Sequence, residues 1–296
     1  HIRLVLGYWR TDHGPQLPTV GMTFRKERAM RSLISAVFCT TVAVLVACGT
    51  VSASPVWITT EDGQGADTFV QGGSTADSNF GSIENVVVKN GPFNDQFARK
   101  GYLRFDLSKT LGGPISAATL ALTITSNNSG GGNPAPANFT VDVFGLVDGF
   151  AGVDNTSNGS TADDADVHGE FWPENLIDWN SAPANVTSSG FDLDANALLL
   201  GSLAVTTGDV VGTTVLFSTP ELVDFLNDDT NGVVTLILRR SGATAGNGPN
   251  LAFASKENTV YAAPTLLLDA NLPEPSAWLL GLLAVPGLVY LRRRRK

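Results

Sequence analysis

An acidic stretch of the sequence contains enough oxygen-bearing side chains to bind a metal ion. Six of them lie within 17 residues: Asp154, Asn158, Asp163, Asp164, Asp166 and Glu170. Calcium in proteins is bound by carboxylate and amide oxygens of this kind. Because the spacing is not that of an EF-hand loop, a solvated acidic loop without a metal explains the same residues. Both interpretations stay open, and the metal-bound one predicts calcium on Asp154, Asp163, Asp164, Asp166 and Glu170.

Three further residues are candidates for contact with a polysaccharide. Trp172 adjoins the acidic stretch, and the flat face of an aromatic ring suits the C–H side of a sugar ring. The ring could instead lie in the core, as is more usual for a residue like Trp179 in LIDWNSAP. Arg99 and Lys100 form a local basic patch that could meet an anionic polymer. We therefore name Trp172, Arg99 and Lys100 as candidate carbohydrate contacts.

The residues that could catalyse a reaction form no recognisable constellation. His168 is the one histidine between residues 54 and 271, so a Ser–His–Asp triad would depend on a single loop residue. No GxSxG, HExxH or glycine-rich phosphate motif occurs. A carboxylate pair for glycoside hydrolysis is recognised only by its separation in space, so a polysaccharide lyase or hydrolase stays a less favoured alternative. We predict that the protein is not an enzyme.

Charge is distributed unevenly along the chain. Of 19 Lys and Arg residues, six precede Leu33 and five form the run from Arg292 to Lys296. Residues 54–271 contain 25 Asp and Glu against 8 Lys and Arg, a net charge of −17. Because an acidic surface repels phosphate, we expect no nucleic acid partner. Both cysteines, Cys39 and Cys48, lie in an early apolar stretch, so residues 54–271 have no disulfide framework.

The residues between 67 and 269 are typical of short β-strands separated by turns. Apolar and polar side chains alternate in YLRFDL, as in a half-buried strand, whereas VVTLILRR is apolar on both faces and predicts a central strand. In STPELVDFLNDDTNG, Thr219 can cap a helix that starts at Pro220, and we expect this helix to close one end of the fold. About ten such strands predict an all-β fold, an antiparallel β-sandwich that is jelly-roll-like with one short helix.

Two motifs in this stretch are more specific. In FWPENLIDWNSAP a W-x-E…W-N-x-A-P pattern is formed by Trp172, Glu174, Trp179, Asn180, Ala182 and Pro183. The second motif is Ser255-Lys256-Glu257. Their order resembles the DNRLRE-type domain, a bacterial extracellular β-sandwich classed among carbohydrate-binding modules, which usually has Ser-Arg-Glu at the second motif. The resemblance covers residues 67–269 and implies a module of polysaccharide-active enzymes or surface proteins, with alginate-like polymers as one ligand class. The hexapeptide of the family name is absent.

The residues before the sandwich are typical of an export signal. Residues 1–21 precede two plausible start codons, Met22 and Met30, and we interpret them as untranslated or as a fragment boundary. Residues 22–53 combine a basic segment, an apolar segment of 15 residues and the cleavage-like VSA, which predicts a secretory signal peptide. LVAC, which ends at Cys48, resembles a lipobox, so lipidation of Cys48 is an alternative. We expect the sandwich domain to occupy residues 54–270.

Residues 271–296 are typical of a sorting signal. Pro273, Glu274, Pro275 and Ser276 precede an apolar segment of 15 residues, and the basic residues that follow include Arg292, Arg293, Arg294 and Arg295. The apolar segment is short for a membrane span, but the arginines can snorkel and hold their end in the cytoplasm. This order closely resembles the PEP-CTERM signal. The resemblance implies a transmembrane helix in the inner membrane that an exosortase removes, in bacteria that make extracellular polysaccharide.

These predictions combine into one functional hypothesis. We expect an exported bacterial protein, processed by signal peptidase and exosortase, that passes through a membrane-anchored intermediate to the cell surface or extracellular matrix. There it would associate with polysaccharide without catalysis. A purely structural matrix protein without a defined sugar site is the alternative. An exposed aromatic side chain beside polar groups on a face of the sandwich would favour the first hypothesis, and fully buried tryptophans the second.

Overall fold

The part of the chain that the structure describes forms eleven β-strands. The structure is a computed structural model and describes residues 54–91, 98–110, 113–128, 137–152, 167–241 and 250–270, all within one compact unit, Val51–Ser276. The first six strands are β1 (Ser54–Thr59), β2 (Ala66–Gln71), β3 (Asn85–Val88), β4 (Arg99–Asp106), β5 (Ile115–Asn128) and β6 (Phe139–Leu146). The others are β7 (Ala197–Val205), β8 (Thr214–Phe217), β9 (Val233–Arg240), β10 (Asn250–Ala254) and β11 (Thr265–Ala270).

The strands form two antiparallel sheets. Sheet I has the order β1-β11-β5-β10-β3, with β8 paired to β5, and sheet II has the order β2-β4-β9-β6-β7. From β3 to β10 the chain passes between the sheets in the sequence I, II, I, II, II, I, II, I, which is the winding of a jelly roll. The predicted all-β sandwich is therefore confirmed, and β9 is the central strand that its sequence predicts.

The main core lies between the two sheets. Leu120 and Phe253 from sheet I meet Leu103, Phe105 and Val141 from sheet II, and all five are buried. These residues alternate along their strands with side chains that point the other way, which gives each sheet one inner and one outer face. The outer faces differ between the two sheets, and this difference determines where a ligand can bind.

The one α-helix among the described residues, α1 (Pro220–Asn227), lies between β8 and β9 in the chain. The Thr219 hydroxyl accepts a hydrogen bond from the Leu222 N–H at 3.1 Å, so the predicted cap is confirmed. Leu222 and Leu226 are buried in the main core, where α1 contacts β5 of sheet I and β7 of sheet II. The helix therefore closes one end of the sandwich.

The predicted export and sorting segments, residues 22–53 and 271–296, lie outside the described residues. Within the ranges that are described, no helix is long and apolar enough to cross a membrane.

Replacing Gly145 with alanine should destabilise the fold by overpacking. A methyl group at Gly145 in β6 would overlap the ring of Phe225 in α1. We expect Gly145→Ala to lower the free energy of unfolding by about 1–3 kcal/mol, measured by urea denaturation. Phe225→Leu removes the ring that the new methyl group would overlap. The double variant Gly145→Ala with Phe225→Leu should therefore recover part of the lost stability. An unchanged unfolding midpoint for Gly145→Ala would contradict close packing of α1 on β6.

Candidate functional site

Trp172 belongs to a segment of chain that covers sheet II. We call residues 167–196 the covering segment, because its side chains pack on Tyr102, Phe144 and Ile237 of the outer face. Trp172 is fully buried there, its indole N–H donates to the Thr235 hydroxyl at 3.1 Å, and its ring meets the edge of Tyr102. The predicted role of Trp172 as an exposed platform for a sugar is therefore wrong.

The W-x-E…W-N-x-A-P motif, residues 172–183, holds the covering segment onto sheet II. A carboxylate oxygen of Glu174 accepts a hydrogen bond at 2.8 Å from the main-chain N–H of Asp67 in the edge strand β2. The main-chain carbonyl of Pro183 accepts one from the Tyr102 hydroxyl at 3.1 Å. Trp179 is also buried and donates its indole N–H to the carbonyl of Thr187. The motif residues that the structure describes thus have a structural role.

The covering segment also encloses the side chain of Lys100. Its ammonium group donates at 2.6 Å to Asn185 and to the carbonyl of Asp192, and it lies over the ring of Trp179. Since Lys100 is fully buried, its predicted contact with a polysaccharide is wrong. The neighbouring Arg99 is half-buried, and its Nε–H donates to the Gln71 side chain at 2.7 Å. A sugar contact at Arg99 stays a prediction.

The predicted calcium residues Asp154, Asp163, Asp164 and Asp166 lie outside the described part of the chain. The fifth one, Glu170, is buried, and its carboxylate accepts hydrogen bonds from the Gly149 N–H and the Asn231 amide. One carboxylate oxygen from each of Asp148, Glu170 and Asp229 lies within 4.8 Å of the others, and we call these residues the Asp148 group. Sequence spacing did not reveal this grouping, because Asp229 follows α1, far along the chain.

A cavity of about 410 Å³ opens beside the Asp148 group. Its apolar wall includes Leu198, Leu199 and Phe225, and its acidic lining is Asp148, Glu170, Glu221, Asp224, Asp228 and Asp229. Burial raises the pKa of Glu170 and of Asp229, and the charge of Asp148 adds to both shifts. Such a lining repels an anionic polymer and suits a cation.

Among the described residues, no segment covers the outer face of sheet I, and this face presents a tryptophan. In β1, Val56 and Ile58 point into the core, so Trp57 points outward, with 62 % of its surface exposed. It is in register with Leu267 of β11, which pairs in turn with Thr119 of β5. The alternation in SPVWIT could have revealed an outward aromatic side chain, but sequence reasoning did not single out Trp57.

The residues beside Trp57 make this face nearly uncharged. The outward side chains on the neighbouring strands are Thr119, Ala121, Thr214, Leu216, Thr265 and Leu267. Neighbouring strands lie about 4.8 Å apart, so the face extends roughly 14 Å from β1 to β8. Threonine hydroxyls can bond to sugar hydroxyls, while Trp57 and Leu216, also 62 % exposed, offer apolar surface. We call this surface, with Asp269 at its margin, the Trp57 face.

Replacing Lys100 with methionine should change how stability depends on pH. Burial lowers the pKa of folded Lys100 to about 7, whereas an unfolded lysine has a pKa of about 10.4. Between these values the unfolded chain binds a proton that the folded chain lacks. The residue therefore makes the free energy of unfolding rise with pH, by up to about 1.4 kcal/mol per unit.

This slope should be absent in Lys100→Met when urea unfolding is measured from pH 7 to pH 10. Lys109→Met, at a lysine whose side chain is 53 % exposed, is the control and should keep the slope. Equal slopes in the wild type and Lys100→Met would contradict a neutral Lys100 in this range.

Comparisons with known proteins relate the sandwich to carbohydrate binding. The family model of carbohydrate-binding module family 96 matches residues 59–143, from the end of β1 into β6. A search of curated proteins found no match. The matched family is one of binding modules, so the match suggests that this chain binds carbohydrate and is consistent with a non-catalytic protein.

Proposed function

We propose that this protein is an exported, non-catalytic protein that binds polysaccharide on the Trp57 face. The exposure of Trp57 on an open, nearly uncharged sheet is the observation that carries the proposal. A sugar ring stacks on the indole, and its hydroxyls bond to the threonines of β5 and β8. The match to a carbohydrate-binding module supports the ligand class, since it includes the residues that β5 contributes to this face.

The charges favour a neutral polysaccharide over an anionic one. Residues 54–271 contain 25 acidic and 8 basic residues, so an anionic polymer meets repulsion over most of the surface. Lys100, one of the two basic residues expected to offset this repulsion, is enclosed by the covering segment. The Trp57 face needs no counter-charge to bind a neutral polymer.

Replacing Trp57 with alanine should weaken binding to a neutral polysaccharide by about tenfold or more, because tryptophans dominate the energetics of binding surfaces. The affinity is measured by affinity electrophoresis of the full chain in gels that contain a neutral β-glucan, a mannan, a xylan or alginate. Phe171→Ala is the matched control, since Phe171 is an aromatic residue with 56 % exposure on the covering segment, and it should bind normally.

Equal binding by the wild type and Trp57→Ala would exclude the Trp57 face as the site. If the wild type binds none of the polymers, the protein is a structural matrix component without a sugar site. The burial of Trp172 and Trp179 favours that second candidate.

The proposal includes export and sorting. Signal peptidase removes residues 22–53, the segment after Ser276 holds the chain in the inner membrane, and exosortase then cleaves at Pro273–Ser276. This order is supported by the resemblance of residues 271–296 to the PEP-CTERM signal and by the basic and apolar segments within residues 22–53, which are typical of a signal peptide. The mature protein then lies at the cell surface or in the extracellular matrix.

Substituting alanine for Pro273, Glu274 and Pro275 together should leave the protein in the membrane fraction of a host that has an exosortase. The wild type should lose its C-terminal segment, as measured by mass spectrometry of the released protein. Asn271→Ala, just outside the motif, is the control and should be processed normally. Release of the triple variant at the wild-type rate would contradict recognition of this motif.

A further inference from the structure

Three carboxylates from distant parts of the chain meet at the β2 edge of sheet II. Asp67 belongs to β2, Glu174 to the covering segment, and Glu257 to the turn between β10 and β11. One carboxylate oxygen from each lies within 4.8 Å of the other two. We call these residues the Asp67 group. They are separate from the Trp57 face, which belongs to sheet I.

The Asp67 group contains buried oxygens without hydrogen-bond donors. Asp67 is fully buried, and its Oδ2 accepts hydrogen bonds from the Thr60 hydroxyl at 2.5 Å and the Lys256 N–H at 2.9 Å. Its Oδ1 is buried with no partner, and so is Oε2 of Glu257. Burying a carboxylate oxygen without a partner is costly, so two such oxygens in one group indicate a missing positive ligand.

The described cations do not balance the charge of the group. Lys256 pairs with Glu174, with its Nζ 2.5 Å from Oε2, which leaves two of the three negative charges without a direct partner. Arg104 interacts electrostatically with Glu174 but directs its N–H groups to the carbonyls of Gln64 and Trp172. Burial, with the charges of Glu257 and Glu174, raises the pKa of Asp67 to about 7. The two unpartnered oxygens, Asp67 Oδ1 and Glu257 Oε2, lack a partner that a proton or a cation would supply.

We propose that Asp67, Glu174 and Glu257 bind a calcium ion. The donors are all carboxylate oxygens, which suit Ca²⁺ because it accepts six to eight oxygens in flexible geometry. Zinc prefers nitrogen and sulfur ligands, and magnesium requires a near-ideal octahedron. The ion supplies the missing partner for Asp67 Oδ1 and Glu257 Oε2, and waters complete its coordination.

Calcium at this position would cross-link three elements of the fold. It would join the edge strand β2, the covering segment and the β10–β11 turn. Glu174 lies 107 residues after Asp67 in the chain, and Glu257 lies 83 residues after Glu174. Because the unfolded chain cannot hold these ligands together, binding stabilises the folded state. The effect is separate from sugar binding, so Trp57→Ala should leave it unchanged.

The test is thermal unfolding of the full chain in calcium and in EDTA, with calcium binding measured by isothermal titration calorimetry. At a free Ca²⁺ concentration about 100 times Kd, the unfolding temperature of the wild type should rise by about 5–10 °C. Glu257→Gln should abolish the rise and the binding heat, because its Oε2 loses its charge. Asp67→Asn, the second variant, should do the same if Glu257→Gln does not fold.

Glu61→Gln is the matched control, because it makes the same change at an exposed carboxylate outside the Asp67 group and the Asp148 group, and it should keep the full calcium response. Loss of the response in Glu170→Gln but not in Glu257→Gln would overturn the proposal and assign calcium to Glu170 and its acidic neighbours. The absence of binding heat and of a temperature rise in the wild type at millimolar calcium would also overturn it, and would assign a proton to Asp67.

Discussion

The apolar outer face of sheet II is the constraint on which the rest of the structure depends. Tyr102, Phe144 and Ile237 point away from the main core, so this face needs its own cover to leave water. The long connection between β6 and β7 provides the cover and inserts Trp172 and Trp179 into it. This cover encloses Lys100, whereas no segment of the described chain lies over the outer face of sheet I.

The sequence predicted the regular elements well, because local patterns specify them. The alternation in β4, the continuous apolar run in β9 and the Thr219 cap of α1 all reflect local geometry. The strand β2 is less regular, since Asp67, Thr68 and Gln71 are buried polar residues. Polar residues of this kind hide a strand from any analysis based on hydrophobic period.

The candidate site was harder to predict, because exposure is a tertiary property. Trp172 stands beside a polar stretch and is fully buried, whereas Trp57 lies in an apolar strand and is exposed. The alternation in SPVWIT indicates that Trp57 points outward, but no local pattern reveals that Trp172 is buried, since the covering segment packs on strands from other parts of the chain. The same limit applies to the acidic residues. Asp67, Glu174 and Glu257 meet only through the arrangement of three separate elements, and nothing in their spacing predicts that meeting.

The pairing of β1 with β11 has a mechanical consequence. Ser54 is in register with Ala270, so the first and last described residues are neighbours at one end of an antiparallel ladder. Tension applied between these two residues loads the hydrogen-bonded pairs in turn, starting at Ser54 and moving towards Thr59. This unzipping geometry resists force less than a ladder whose bonds are sheared together. Trp57 lies on the fourth of these pairs, so a pull on the two ends would displace the strand that presents it.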